Sequence, residues 1–187
     1  ESMCAFNPRP VVFALSNPTS KAECTAAQAY EWSKGAAVFA SGTLFAPVTY
    51  KGTKFAPGFA NNAFIFPGVA AGSLASGASS VTDGMFLAAA RSLVSRVSEE
   101  NLAVGAVYPP TSTIREAAVG VGAAVAAAAA AEGVAASGAC RGGLIPGRNG
   151  AAGTRVPSLD ALTGGDGEEG ACANWEACVR DYLKTCL

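Results

Sequence analysis

Two short stretches hold the side chains best suited to meet a small polar ligand, Ser16-Asn17-Pro18-Thr19 and Asn61-Asn62. Neither offers a strong acid, base or nucleophile. Their hydroxyls and amides are neutral groups that donate and accept hydrogen bonds, the chemistry of binding and orientation. The first stretch follows an apolar run, Val11-Val12-Phe13-Ala14-Leu15, of the length and character of a strand buried on both faces of a parallel sheet. Pro18 ends that strand and biases Asn17 away from helix. Ser20-x-x-Glu23 and Thr25-x-x-Gln28 both have capping-box spacing, so a helix starts within a few residues. Ser16, Asn17 and Thr19 are thereby predicted at the carboxyl end of a parallel strand, where open α/β sheets bind ligands. Asn61 and Asn62 precede Phe64-Ile65-Phe66-Pro67, and Pro67 suits the first turn of a helix. Their amides can meet a ligand there. Plain helix capping is the competing reading and, on composition alone, the preferred one.

Composition excludes other chemistries. The 187 residues contain no histidine, which rules out histidine triads, histidine metal sites and a histidine base within this chain. Thirteen basic residues nearly balance fourteen acidic ones and form no cluster, which argues against a nucleic-acid surface. The six cysteines, Cys4, Cys24, Cys140, Cys172, Cys178 and Cys186, are scattered without metal-ligand spacing. A chain of this size needs no disulfide framework, so reduced thiols and an intracellular setting are expected. No signal-peptide pattern opens the sequence. It begins at Glu1 rather than a methionine, as an internal or processed segment would.

The elements that must position these residues form a simple series. A strand at 11–15, a helix at about 25–33 and a strand at 37–40 make a βαβ unit. Residues 46–60 are a loop punctuated by Pro and Gly, with a hairpin near Lys51-Gly52. Helices are predicted over 69–79, over 84–97 with Asp83 as cap, from Ser98 to near Gly105, and from Thr113 to about Ala131. Small residues on the first of these should permit close packing against the sheet. The last has a capping box at Thr113-x-x-Glu116 and a poorly defined apolar stripe. Ala and Gly supply little insertion energy, and Arg115, Glu116 and Glu132 limit its span, so a membrane crossing is rejected. Gly120-x-Gly122-x-x-Val125 follows no strand, so it is no dinucleotide fingerprint. Three regions are expected: a folded domain over 1–137, a Gly-rich linker or disordered insertion over 138–170, and an amphipathic helix within 171–187. That helix would carry Trp175, Cys178, Val179, Tyr182, Leu183 and Cys186 on one face.

These stretches in order resemble the malic enzymes. The resemblance runs through Val12-Phe13-Ala14-Leu15-Ser16-Asn17-Pro18-Thr19-Ser20-Lys21-Ala22-Glu23-Cys24-Thr25, then Phe39-Ala40-Ser41-Gly42 and Asn61-Asn62. It continues through Phe64-Ile65-Phe66-Pro67-Gly68, Asp83-x-Met85-Phe86-Leu87 and Tyr108-Pro109-Pro110. It covers residues 8–132 and implies the C-terminal part of a Rossmann-like dinucleotide-binding domain, an α/β fold of parallel strands with flanking helices plus C-terminal helices. It further implies oxidation and decarboxylation of L-malate to pyruvate with NADP or NAD and Mg²⁺ or Mn²⁺, and a homo-oligomer when complete. By the resemblance, Asn17 and Asn62 contact malate and the nicotinamide end of the cofactor, and Ser16 lies beside the cofactor. Ligand contact becomes the preferred reading of Asn62, with capping by Asn61 still open. An amide can orient a carboxylate or carboxamide without disturbing the redox balance of the ring.

The family's lysine base, tyrosine acid, acidic metal ligands and glycine-rich phosphate turn match no stretch here, so no catalytic or metal-ligating residue is assigned. Cytoplasm, chloroplast and mitochondrion are all compatible with the sequence. A diverged, non-catalytic relative acting as a binding or assembly module is the alternative. The family's Gly-Gln-Gly is here Gly58-Phe59-Ala60, and Ala60 would strain the turn if that position needs positive φ. Its Ser-Gly-Ser-Pro-Phe is here Ser41-Gly42-Thr43-Leu44-Phe45, and its Lys-Gly-Arg is Lys34-Gly35-Ala36.

Overall fold

A computed structural model describes residues 2–136, 144–145, 154–155, 176 and 179–180. The chain divides into two compact units, Glu1–Asn62 with Leu93–Ile114, and Ala63–Ser92 with Arg115–Leu187.

The first unit begins with helix α1 (Ser2–Phe6) and strand β1 (Val11–Ala14). Helix α2 (Ala26–Trp32) crosses to strand β2 (Val38–Ser41), which pairs parallel to β1 from Val11↔Val38 to Ala14↔Ser41. Thr25 opens α2 with a complete capping box: its hydroxyl accepts from the Gln28 N–H, and the Gln28 side chain accepts from the Thr25 N–H. Strands β3 (Val48–Tyr50) and β4 (Thr53–Phe55) form the expected hairpin. Its turn has positive φ at both Lys51 (47°) and Gly52 (82°), the twist that matches the flanking strands. Strand β5 (Gly58–Phe59) then adds to β2 in parallel, giving the order β1-β2-β5. A helical crossover joins parallel strands, and this α/β arrangement is the one expected from the sequence.

Alternation along β1 decides its two faces. Val12 and Ala14 face a core of Ala26, Ala29, Tyr30 and Phe39, bordered by Phe45, Val48, Tyr50 and Phe55. Val11 and Phe13 point the other way and are 55% and 44% exposed, so the expectation of a strand buried on both faces is corrected. The core cluster lies on the other face of the strand, so this face is left without that cover. Phe13 gains only a tilted contact with the Tyr108 ring, centroids 6.3 Å apart.

Tyr30 is the centre of the core. Its ring stacks on Phe55 at 4.4 Å and meets Phe39 edge-on at 6.1 Å. Its hydroxyl is buried with no hydrogen-bond partner among the described residues. Burial pushes its pKa from the ordinary 10.0 up to about 12. The hydroxyl is therefore a cost without a matching gain. Tyr30→Phe is expected to leave the fold intact and raise its stability by up to about 1 kcal/mol. The native protein should also lose stability as pH rises from 10 toward 12, because the unfolded phenol ionises first. Tyr30→Phe should lose less there. Denaturant unfolding at neutral and alkaline pH checks both.

Helix α3 (Phe66–Ala75), with Pro67 in its first turn, belongs to the second unit. Helix α4 (Asp83–Val94) follows, and α5 (Glu99–Ala103) belongs to the first unit. Helix α6 (Ile114–Ala131) returns to the second. Thr82, not Asp83, caps α4, its hydroxyl accepting from the Met85 N–H at 3.1 Å. Ser98 caps α5 by accepting from the Asn101 N–H. Thr113 closes a 3-10 turn, Thr111–Thr113, just before α6, its hydroxyl donating to the Pro110 carbonyl at 2.7 Å.

The small residues of α3 were expected against the sheet, but the structure sets them against α6. A Cβ at Gly68 would lie 2.6 Å from Val121 and 2.8 Å from the Ala118 carbonyl oxygen. One at Gly72 would collide with the Gly122 carbonyl oxygen. Gly122 in turn lies against Val179. The alanine- and glycine-rich composition of α6 thus has a packing purpose, backbone-close contact in place of large side chains. Residues Thr111–Ala131 are long and apolar enough to cross a membrane by length and composition, a test that a core helix also passes.

Within 138–170, only β6 (Leu144–Ile145) and β7 (Thr154–Arg155) are described, as a short antiparallel ladder. Glu176, Val179 and Arg180 are helical, with Arg180 paired to Glu176 at 3.0 Å. Trp175, Cys178, Tyr182, Leu183, Cys186 and the remainder of the expected linker lie outside the described residues.

Candidate functional site

The three parallel strands end together, and their polar turns gather at one edge. β1 runs out into Leu15-Ser16-Asn17, β2 into Gly42, and β5 into Ala60-Asn61-Asn62. Two backbone bonds extend the ladder past the strands: Gly42 N–H donates to the Ala14 carbonyl at 2.9 Å, and Ala60 N–H to the Ser41 carbonyl at 2.8 Å. Ser16, Asn17 and Asn62 are all exposed at these carboxyl ends. The Asn17–Pro18 peptide bond is cis. This edge of a parallel sheet is where α/β proteins present loops to ligands.

Gly42 is a site residue that sequence reasoning treated only as part of a turn. A Cβ there would collide with the Leu15 carbonyl oxygen and lie 3.2 Å from the Asn17 Oδ1. The signal was a glycine directly after a strand, which marks close backbone approach. Gly42→Ala is expected to cost about 1–3 kcal/mol of stability by pushing the Asn17 turn away. Urea unfolding of the variant beside Gly52→Ala checks it, since Gly52 has nothing within 4 Å but does have positive φ.

Glu23 departs from its expected role. It does not box Ser20; residues Thr19–Lys21 form a 3-10 turn, and Glu23 reaches back to Ser16. The Ser16 hydroxyl donates to Glu23 Oε1 at 2.5 Å, and the Ser16 N–H donates to Oε2 at 3.3 Å. The Ser16 hydroxyl holds the Glu23 carboxyl below its ordinary pKa, helped by backbone N–H groups of Glu23 and Ser16. A lowered folded-state value means this stabilisation is present above the ordinary carboxylate range and lost as pH falls through the folded pKa. Ser16 commits its proton to Glu23, so it offers a ligand only oxygen lone pairs.

Asn62 begins a 3-10 turn, Asn62–Phe64. The N-cap position of α3 is Ile65, which makes no side-chain cap bond, and Asn61 directly precedes the 3-10 turn that leads into the helix. Ala60 is not among the positive-φ residues, so the anticipated strain at that position is absent. Among the described residues, no group of three or more His, Cys, Asp or Glu is placed to hold a metal ion. The donor set here therefore does not fit a divalent cation, and no step through one is derived.

Parallel strands, a right-sized crossover helix and polar turns at the carboxyl ends define part of a Rossmann-like dinucleotide-binding domain. Comparison with known proteins is specific about which one. The family model described as malic enzyme, NAD binding domain, matches residues 1–130, and the chain belongs to that family. NADP-dependent malic enzyme 3 of Arabidopsis thaliana is 51% identical over 137 residues, 73% of this chain and 23% of that protein. NADP-dependent malic enzyme of Populus trichocarpa is 53% identical over 135 residues, 72% and 23% respectively. The chloroplastic NADP-dependent malic enzyme of Zea mays is 50% identical over 126 residues, 67% and 20%. The chain thus spans about a fifth to a quarter of the length of the curated relatives it matches.

Proposed function

We propose that this chain is the C-terminal segment of the cofactor domain of an NADP-dependent malic enzyme, which oxidises and decarboxylates L-malate to pyruvate. The observation behind this reading is the shared carboxyl edge of β1, β2 and β5, where Asn17 and Asn62 are exposed on backbone that glycine contacts and extended pairing hold in place. Asn17 and Asn62 contact malate and the nicotinamide end of the cofactor, with Ser16 beside the cofactor. When bound, the dinucleotide accepts a hydride; the residues here orient the two reactants and do not move a proton. Orientation alone contributes much of a rate, because a misplacement of about 1 Å can cost 10²-fold.

The names of the relatives favour NADP over NAD. The family's lysine base, tyrosine acid and acidic metal ligands match no stretch of this sequence, so these 187 residues alone are expected to be inactive and Mg²⁺ or Mn²⁺ would be held elsewhere in the complete polypeptide. The complete protein is an intracellular homo-oligomer in cytoplasm, chloroplast or mitochondrion, with no nucleic-acid or membrane partner. Equilibrium binding tests the site: NADP is titrated into the complete polypeptide with and without malate, for wild type and Asn17→Ala. The variant is expected to lose the tightening that malate produces. Equal ternary binding would remove Asn17 from the site.

A further inference from the structure

We propose that Glu23 is a positioning residue that fixes Asn17 through Ser16. This rests on the reading of Asn17 as a ligand contact but goes beyond it, because Glu23 touches neither reactant. Between the end of β1 and the Thr25 cap of α2, the chain makes a polar excursion of exposed residues, Ser16 to Lys21. Such a segment has few packing contacts to hold it. Glu23, just before the Thr25 capping box, reaches back across that excursion and accepts from both the hydroxyl and the N–H of Ser16. Charge-assisted bonds of this kind are about twice as strong as neutral ones.

Gly42, for its part, lets the Leu15 carbonyl oxygen approach closer than a Cβ would allow, with the Asn17 Oδ1 close beside it. The turn is therefore held at Leu15 by backbone contact and at Ser16 by a carboxylate. Asn17 is the next residue, and its backbone has little remaining freedom to move the amide. Without Glu23, the Ser16 bonds revert to water, and Asn17 samples several positions of which one is productive. The loss should appear in ordering of the turn and in turnover more than in global stability, since both partners are exposed.

Hydrogen–deuterium exchange of peptides covering residues 11–24 in the complete polypeptide tests the clamp without turnover. Glu23→Ala is expected to accelerate exchange around Ser16 and Asn17, with unchanged protection in the α6 peptides. Glu23→Gln, which keeps an oxygen acceptor for the hydroxyl, should recover much of the protection. Unchanged exchange in Glu23→Ala would overturn the proposal. Kinetics give the functional arm: Glu23→Ala should lower malate turnover roughly 10- to 100-fold, with partial rescue in Glu23→Gln. Ser16→Ala combined with Glu23→Ala should be no worse than either alone, because both remove one interaction. Additive losses would overturn the clamp. Loosened exchange in Glu23→Ala together with normal turnover in Asn17→Ala would overturn the Asn17 assignment and, with it, the positioning role. A normal Glu23→Ala beside an impaired Asn17→Ala would overturn the role of Glu23 alone.

Discussion

Asn62→Ala in the complete polypeptide is expected to reduce turnover of malate by about two orders of magnitude with little change in stability. The stability half follows from placement. Asn62 is exposed, it does not cap α3, and it opens only a single 3-10 turn. Removing an exposed amide in that setting falls within about 0.5 kcal/mol. The activity half follows from chemistry. An amide that both donates and accepts can fix a carboxylate and a carboxamide relative to each other, and alanine can do neither. Asn62→Asp, of similar shape but negative, should be worse than Asn62→Ala, because it repels a dicarboxylate substrate. Steady-state kinetics and a thermal melt on the same preparations check this. Full activity in Asn62→Ala would remove that residue from the site. A collapsed melting temperature would mean that its role is structural.

Gly72→Leu is expected to have the largest effect on stability, about 3 kcal/mol. The Cβ alone would collide with the Gly122 carbonyl oxygen and stand 2.8 Å from Val125 Cβ, before any longer atoms are placed. The opposing atom is helix backbone, which cannot turn aside as a side chain can. Helices α3 and α6 would have to separate, opening the seam formed by Gly68, Val121 and Val125. Ala127 provides the control. It lies on an exposed position of α6, so Ala127→Leu adds the same bulk where space is open and should change stability by less than about 0.5 kcal/mol. Denaturant unfolding of both variants decides it. Equal effects would mean that α6 tolerates bulk anywhere and that its glycines serve no packing purpose.

The local signals with short range were the ones legible in the sequence. The Thr25-x-x-Gln28 box, the Lys51-Gly52 turn and Pro67 in the first turn of α3 all depend on residues within four positions of each other. The resemblance to malic enzymes, which rested on Ser16-Asn17-Pro18-Thr19 and Asn61-Asn62 with their spacing, matches the family over residues 1–130. What the sequence left hidden depended on distant partners. Ser20-x-x-Glu23 has the spacing of a capping box, but Glu23 finds a hydroxyl and an N–H at Ser16 and bonds there instead. The exposure of Val11 and Phe13 could not be read from an apolar run, since it depends on which face of β1 the core packs against. The partner of the α3 glycines was equally invisible: small residues announce a close approach but not what approaches.

The most direct test of the central claim is stoichiometry. The complete polypeptide containing this chain is given L-malate, NADP and Mg²⁺, and pyruvate and NADPH are measured in the same reaction. The account predicts that both appear in equal amounts, depend on malate, and fall together in Asn17→Ala and Asn62→Ala. NADPH without pyruvate would contradict decarboxylation, and no malate-dependent reduction of NADP at all would contradict the proposed function itself.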